Sequence, residues 1–105
     1  MVRPRRCRRI FFKPDATYFK PAGVRMHHLE EIVLTYDEAE ALRLIDVEEM
    51  PQEQAAKKMN ISQPTLSRLI KSGRKKLADA VINSKAIRVE GGNFEFKGKR
   101  FTSPP

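Results

Sequence analysis

Residues 52 to 69 read Gln-Glu-Gln-Ala-Ala-Lys-Lys-Met-Asn-Ile-Ser-Gln-Pro-Thr-Leu-Ser-Arg-Leu, and no other stretch restricts the fold as tightly. Two short helices that cross steeply must meet through small residues and share one apolar surface. Ala55 and Ala56 permit the close approach, and Met59 completes the buried side of the first helix at helical spacing. Asn60 follows where a tight turn needs a residue tolerant of left-handed backbone angles, and Ile61 plugs the turn. Ser62 is an N-cap residue, Gln63 and Pro64 suit a first helical turn, and Leu66, Leu69 and Ile70 recur on one face. This is the layout of a helix-turn-helix, and it predicts double-stranded DNA as the partner.

The charge pattern agrees. The 105 residues carry 21 Lys plus Arg against 13 Asp plus Glu, a net charge of +8. Residues 1–30 hold eight basic and two acidic groups, residues 31–50 one and seven, residues 51–85 eight and two, and residues 86–105 four and two. A basic arm and a basic motif therefore flank an acidic segment. The length suits one compact domain with appendages rather than a two-domain enzyme with an enclosed pocket. Cys7 is the sole cysteine, which excludes an intrachain disulfide. No apolar run is long enough for a signal peptide or a membrane span, so a cytoplasmic location and no membrane partner are expected.

The expected fold is mainly α with a small β element: a three-helix helix-turn-helix domain at 34–83, preceded at 1–33 by a basic arm, a strand and an irregular loop, and followed at 84–105 by a β-hairpin and tail. The first helix is predicted over Tyr36 to Val47, because Thr35 and Glu38 have capping-box spacing and Ala39, Leu42 and Ile45 recur on one face. Its acidic first turn suits the helix macrodipole and would repel a phosphate backbone, so this helix should face away from DNA. Met50 and Pro51 open the second helix, and the third continues to Ile82. Gly73 interrupts the third helix at a cost of about 1 kcal/mol relative to alanine, which points to close packing against that spot. Ile87 and Val89, the turn Gly91-Gly92-Asn93, then Phe94 and Phe96 read as a hairpin, with Ile10 to Phe12 as its third strand and Thr102 to Pro105 as a frayed tail.

On the third helix Leu66, Leu69, Ile70, Gly73 and Leu77 share one side, and Pro64, Arg68, Lys71 and Lys75 the opposite one. Gln63, Thr65, Ser67 and Arg68 are the base-reading candidates: glutamine pairs with adenine and arginine with guanine in two-bond geometry, and the threonine methyl can meet thymine. Ser62, Lys71, Arg74 and Lys75 suit phosphates. A basic helix face is by default a solvated surface. The functional reading is preferred because this face falls on the second helix of a complete motif register. Arg3, Arg5, Arg6, Arg8 and Arg9 could enter a minor groove or bind RNA or an acidic protein, or they could be a solvated terminus. Cys7, His27 and His28 lack zinc-ligand spacing, so no metal or cofactor is expected. Phe94, Phe96 and Tyr18 are read as packing groups rather than base-stacking ones.

The run Leu34 to Asp46, then Gln52 to Ala56, Met59 to Ser62, Thr65, Arg68, Arg74 to Lys76, Ala78 to Ala80 and Ala86 to Gly92, resembles a family of small uncharacterised prokaryotic proteins predicted to bind DNA. Their helix-turn-helix is similar to the region-four domain of bacterial sigma factors. The resemblance extends over most of the chain, including Arg3 to Arg9, and implies a three-helix DNA-binding domain with recognition by the helix that begins near Gln63. Gly73, where alanine is usual, and Leu66, where an aromatic is common, depart from the family pattern and lie off the DNA face.

The function expected from these features is a sequence-specific transcriptional regulator, acting as a homodimer because one motif reads only a few base pairs. The hairpin and the N-terminal strand would form the dimer surface. The alternative is an adaptor that binds RNA polymerase or another regulator, motivated by the acidic patch from Glu30 to Glu49. An enzyme is not expected: no nucleophile, base and orienting group converge on a local motif, and no catalytic residue is assigned.

Overall fold

In the computed structural model the described residues are 8–98, apart from the side chain of Met26. Three helices and five short strands make a mainly α fold with a small β element. The elements run β1 (Arg8–Ile10), β2 (Tyr18–Phe19), a 3-10 turn (Met26–His28), β3 (Glu31–Leu34), α1 (Tyr36–Leu42), α2 (Gln52–Met59), α3 (Gln63–Asn83), β4 (Ala86–Val89) and β5 (Phe94–Phe96). The Thr102 to Pro105 tail lies outside the described residues.

Helix α1 starts where the capping box placed it. The Glu38 N–H donates to Thr35 Oγ1 at 3.4 Å, and the Thr35 N–H donates to the Glu38 carboxylate at 2.9 Å. Beyond Leu42 the chain widens into a π-helical turn, Arg43–Val47, in which the Glu48 N–H reaches the Arg43 carbonyl at 2.8 Å. Glu49, with φ 54°, then redirects the chain into α2. Pro51 is the N-cap of α2. At its other end Asn60 takes left-handed angles, φ 59° and ψ 46°, as the turn required. Ser62 caps α3 by accepting from the Thr65 N–H at 3.2 Å.

The main core lies between the helices. Ala41 of α1, Leu44 of the π-helical turn, Ala55, Ala56 and Met59 of α2, and Leu66 and Ile70 of α3 are buried together, with Ile61 and Leu69 packed at the margin. Gly73 of α3 packs closely against Leu42 of α1. A Cβ there would sit 2.8 Å from Leu42 Cδ1, which explains a glycine in the interior of a helix. A second cluster of Leu34, Leu42 and Val89, flanked by Leu77 and Ile87, joins the helices to the strands.

The expected C-terminal β-hairpin is not formed. Both strands exist, but β4 is the middle strand of the order β2-β4-β3, antiparallel to β2 and parallel to β3. With both of its edges occupied, β4 has none to offer β5, which pairs in parallel with β1 instead, Ile10 opposite Phe96. Gly91 and Gly92 serve packing rather than a hairpin turn. The Gly91 carbonyl accepts from the Tyr36 N–H at 3.0 Å, and a Cβ on Gly92 would come within 2.6 Å of Asp37 Oδ1. The segment expected to be an irregular loop contains β2, and Glu31–Leu34 is a strand as well. The Lys13 ammonium lies 5.2 to 5.4 Å from the ring centroids of Tyr36, Phe94 and Phe96, which fastens the chain after β1 onto β5 and α1.

Candidate nucleic-acid interface

The site is built on the first three turns of α3, held by the buried side chains of Leu66 and Ile70 beneath it. Gln63, Ser67, Arg68, Lys71 and Lys75 are exposed. At helical spacing, 64, 67, 68, 71 and 75 follow one another down a single face. Arg68 and Lys71 make no ion pair among the described residues. Lys75 lies close enough to Asp79 to contribute to lowering that carboxyl's pKa, after the larger effects of the Asn83 amide and the Lys85 ammonium.

Ser62, Thr65, Arg74 and Arg8 are already engaged within the chain. Ser62 Oγ donates to Thr65 Oγ1 at 2.9 Å, so both hydroxyls serve the helix cap. Arg74 is held by Asp46, with Nε 3.1 Å from Oδ2 and Nη2 2.6 Å from Oδ1. Of the arm arginines, Arg8 is bound to Asp37 at 2.8 Å and Arg9 is exposed on β1. Arg3, Arg5, Arg6 and Cys7 lie outside the described residues. The His27 and His28 rings meet at a 49° tilt, centroids 4.0 Å apart, in an exposed turn. Among the described residues no group of three His, Cys, Asp or Glu side chains is placed to hold a metal ion. Tyr18 donates its hydroxyl to Glu31 at 2.7 Å and carries the Arg88 guanidinium over its ring.

The acidic segment is mostly consumed inside the protein. Asp37, Glu38 and Glu40 are only 3%, 5% and 1% exposed, and each ties α1 to a different neighbour. Asp37 holds Arg8, which anchors β1. Glu38 accepts from Lys76 Nζ at 2.7 Å and from the Ser72 hydroxyl, which anchors α3. Glu40 accepts from Arg43 at 2.9 Å and from the Phe11 N–H at 2.9 Å. Burial pushes the Glu38 carboxyl up, but the hydrogen bonds from Lys76, Ser72 and the Thr35 N–H together outweigh it and leave the carboxyl below its usual value. Glu31 pairs with Arg88, Asp46 with Arg74 and Glu48 with Arg43. Of the acidic side chains in residues 31–50, Glu49 alone makes no ion pair among the described residues.

Two residues that local sequence patterns did not single out belong beside the site. Gln52, at the start of α2, lines a groove of about 330 Å³ with Ser67, Ile70, Lys71 and Arg74. Asp46 reaches Arg74 from the π-helical turn after α1, across a long separation in sequence, and nothing in the local pattern of either segment signals that contact. A second groove, about 500 Å³, runs along the other side of α1 between Leu34, Ala39, Leu42 and Leu77. It is mostly apolar, and two of its charged residues, Glu40 and Arg43, are paired with each other.

A family described as a protein of unknown function, DUF134, matches residues 1–97. Similar curated proteins include a UPF0251 protein of Desulforudis audaxviator, 51% identical over 100 residues that make up 95% of this chain and 65% of that protein. A UPF0251 protein of Thermoanaerobacter pseudethanolicus is 52% identical over 94 residues, 90% of this chain and 80% of the relative. One from Dehalococcoides mccartyi is 52% identical over 99 residues, 94% of this chain and 85% of the relative. The chain thus spans less than two thirds of the Desulforudis protein and more of the other two. No solved structure gives a significant match.

Proposed function

The chain belongs to the DUF134 family, and within it we propose that this member is a sequence-specific DNA-binding transcriptional regulator, with α2 and α3 acting as a helix-turn-helix and α3 as the recognition helix. The observation that carries this reading is the contrast in pairing. Acidic groups of α1 are spent on internal contacts, whereas Gln63, Ser67, Arg68 and Lys71 stay exposed on the first turns of α3.

A helix with this division can lay its first turns against base edges while basic groups further on meet phosphates. Gln63, Ser67 and Arg68 read bases in this account, and Lys71 and Lys75 bind the backbone. Thr65 and Ser62 shape the helix start. Gln52 joins the backbone contacts from α2. Arg3, Arg5, Arg6 and Arg9 are proposed to follow the adjacent minor groove, while Arg8 anchors β1. A homodimer is proposed so that two motifs read a two-fold site, with its surface proposed on the paired strands β1 and β5, since no hairpin forms. The protein is proposed to act by binding, without catalysis.

The adaptor alternative is placed second, because most acidic side chains of the patch it would use already have a basic partner within the chain. Gel-shift titration with genomic fragments at near-physiological salt separates the two. A regulator retains one fragment against excess bulk competitor, and an adaptor retains none.

A further inference from the structure

Arg74 sits on the basic side of α3, yet two of its nitrogens are occupied. Nε and Nη2 form a bidentate pair with the Asp46 carboxylate, which arrives from the π-helical turn that ends α1. The pair is open to solvent, with side chains 57% and 40% exposed. An ion pair so exposed contributes little to folding, so stability does not account for its geometry. Its arginine lines the groove with Gln52, Ser67, Ile70 and Lys71, beside the residues proposed to hold the DNA backbone, and its carboxylate lines the apolar groove of Leu34, Ala39, Leu42 and Leu77. Hydrogen bonds from Arg74 keep the Asp46 carboxyl below its ordinary value, so it remains ionised at neutral pH.

We propose that Asp46 competes with a DNA phosphate for Arg74 and so lowers the affinity of the chain for DNA of any sequence. This inference rests on the DNA-binding reading above. A phosphate that reaches Arg74 must either displace the carboxylate, exchanging one anion for another, or share the guanidinium through Nη1 with a second negative charge nearby. In either case Arg74 contributes less than a free arginine, whose phosphate contact would release a condensed counterion. The base contacts of Gln63, Ser67 and Arg68 are untouched. The chain then leaves random DNA sooner, and sequence decides where it stays.

The test uses the full chain and fluorescence anisotropy with a random-sequence duplex and a duplex carrying a selected site. For Asp46→Asn, affinity for both duplexes should rise roughly three- to tenfold at ~0.15 M salt, and the plot of log K against log salt should steepen by about 0.9. In an Arg74→Ala background the same substitution should give no such gain, since the coupling runs through Arg74. Glu95→Gln, which removes an exposed carboxylate on β5, controls for net charge and should shift affinity by less than about twofold. An unchanged or weaker Asp46→Asn, a gain equal to that of Glu95→Gln, or an equal gain without Arg74 overturns the inference while the DNA-binding reading stands. A wild-type chain that binds neither duplex overturns both.

Discussion

Helices α1 and α3 carry charge of opposite sign, and the fold treats the two groups in opposite ways. The first turn of α1 turns Asp37 and Glu38 inward, with Glu40 close behind, and gives each a fixed partner on β1, α3 or the chain after β1. The first turns of α3 turn Gln63, Ser67, Arg68 and Lys71 outward. Buried charge is tolerable only when paired and hydrogen-bonded, so the acidic group is structural. Exposed, unpaired charge adds little to folding and is free to meet a ligand of opposite sign. Two helices of one small domain thus divide buried, paired charge from exposed charge, and the proposed recognition role falls to the exposed set.

That division can be broken at its strongest point first. Glu40→Ala strands the Phe11 N–H and leaves the Arg43 guanidinium only its longer pair with Glu48, and should cost about 3–4 kcal/mol, measured as a lowered urea midpoint at unchanged m-value. A loss below ~1 kcal/mol would mean that the buried acidic groups are not what holds the fold together. Glu38→Gln should cost less, about 2–3 kcal/mol at neutral pH, because Lys76 remains partly solvated.

The same residue predicts a pH dependence. The folded-state pKa of Glu38 is depressed from 4.5, so its stabilisation is complete above the unfolded value and is lost as pH falls through the folded one. Urea titrations of wild type and Glu38→Gln should therefore converge as pH drops from ~7 to ~3. Parallel curves across that range would contradict the ion-pair account.

On α3 the expected pattern inverts. Arg68→Ala should leave folding within ~0.5 kcal/mol of wild type yet weaken a specific site by about 1–3 kcal/mol, with far less effect on random DNA. Equal losses on both DNAs would remove its base-reading role. The smallest effect belongs to Lys75→Ala: a uniform weakening of all DNA, with the salt slope flattened by about 0.9.

Much of the helical part was legible in the sequence because its signals are local. The capping box at Thr35 and Glu38, the left-handed Asn60, the Ser62 cap and the small pair Ala55 and Ala56 each constrain their own few residues, and each is found in its expected role. Gly73 was legible as a close contact, although only the structure supplies Leu42 as the partner. The strands were misread because pairing is non-local. Alternation around Ile87 and Phe94 shows that strands exist, but not that β4 binds β2 and β3 or that β5 binds β1. Of the site, the exposed face of α3 follows from its period. The internal engagement of Thr65, Arg8 and Arg74 does not, since Arg8 and Arg74 depend on carboxylates far away in sequence.

The central claim is that α3 reads DNA sequence while α1 holds the fold, and selection of bound duplexes from a random pool by wild type and Arg68→Ala tests it most directly. The account predicts one enriched consensus with two-fold symmetry for wild type, and for Arg68→Ala the same consensus with preference relaxed at one symmetric pair of positions. An unenriched pool from wild type, or an identical consensus from both proteins, would contradict it.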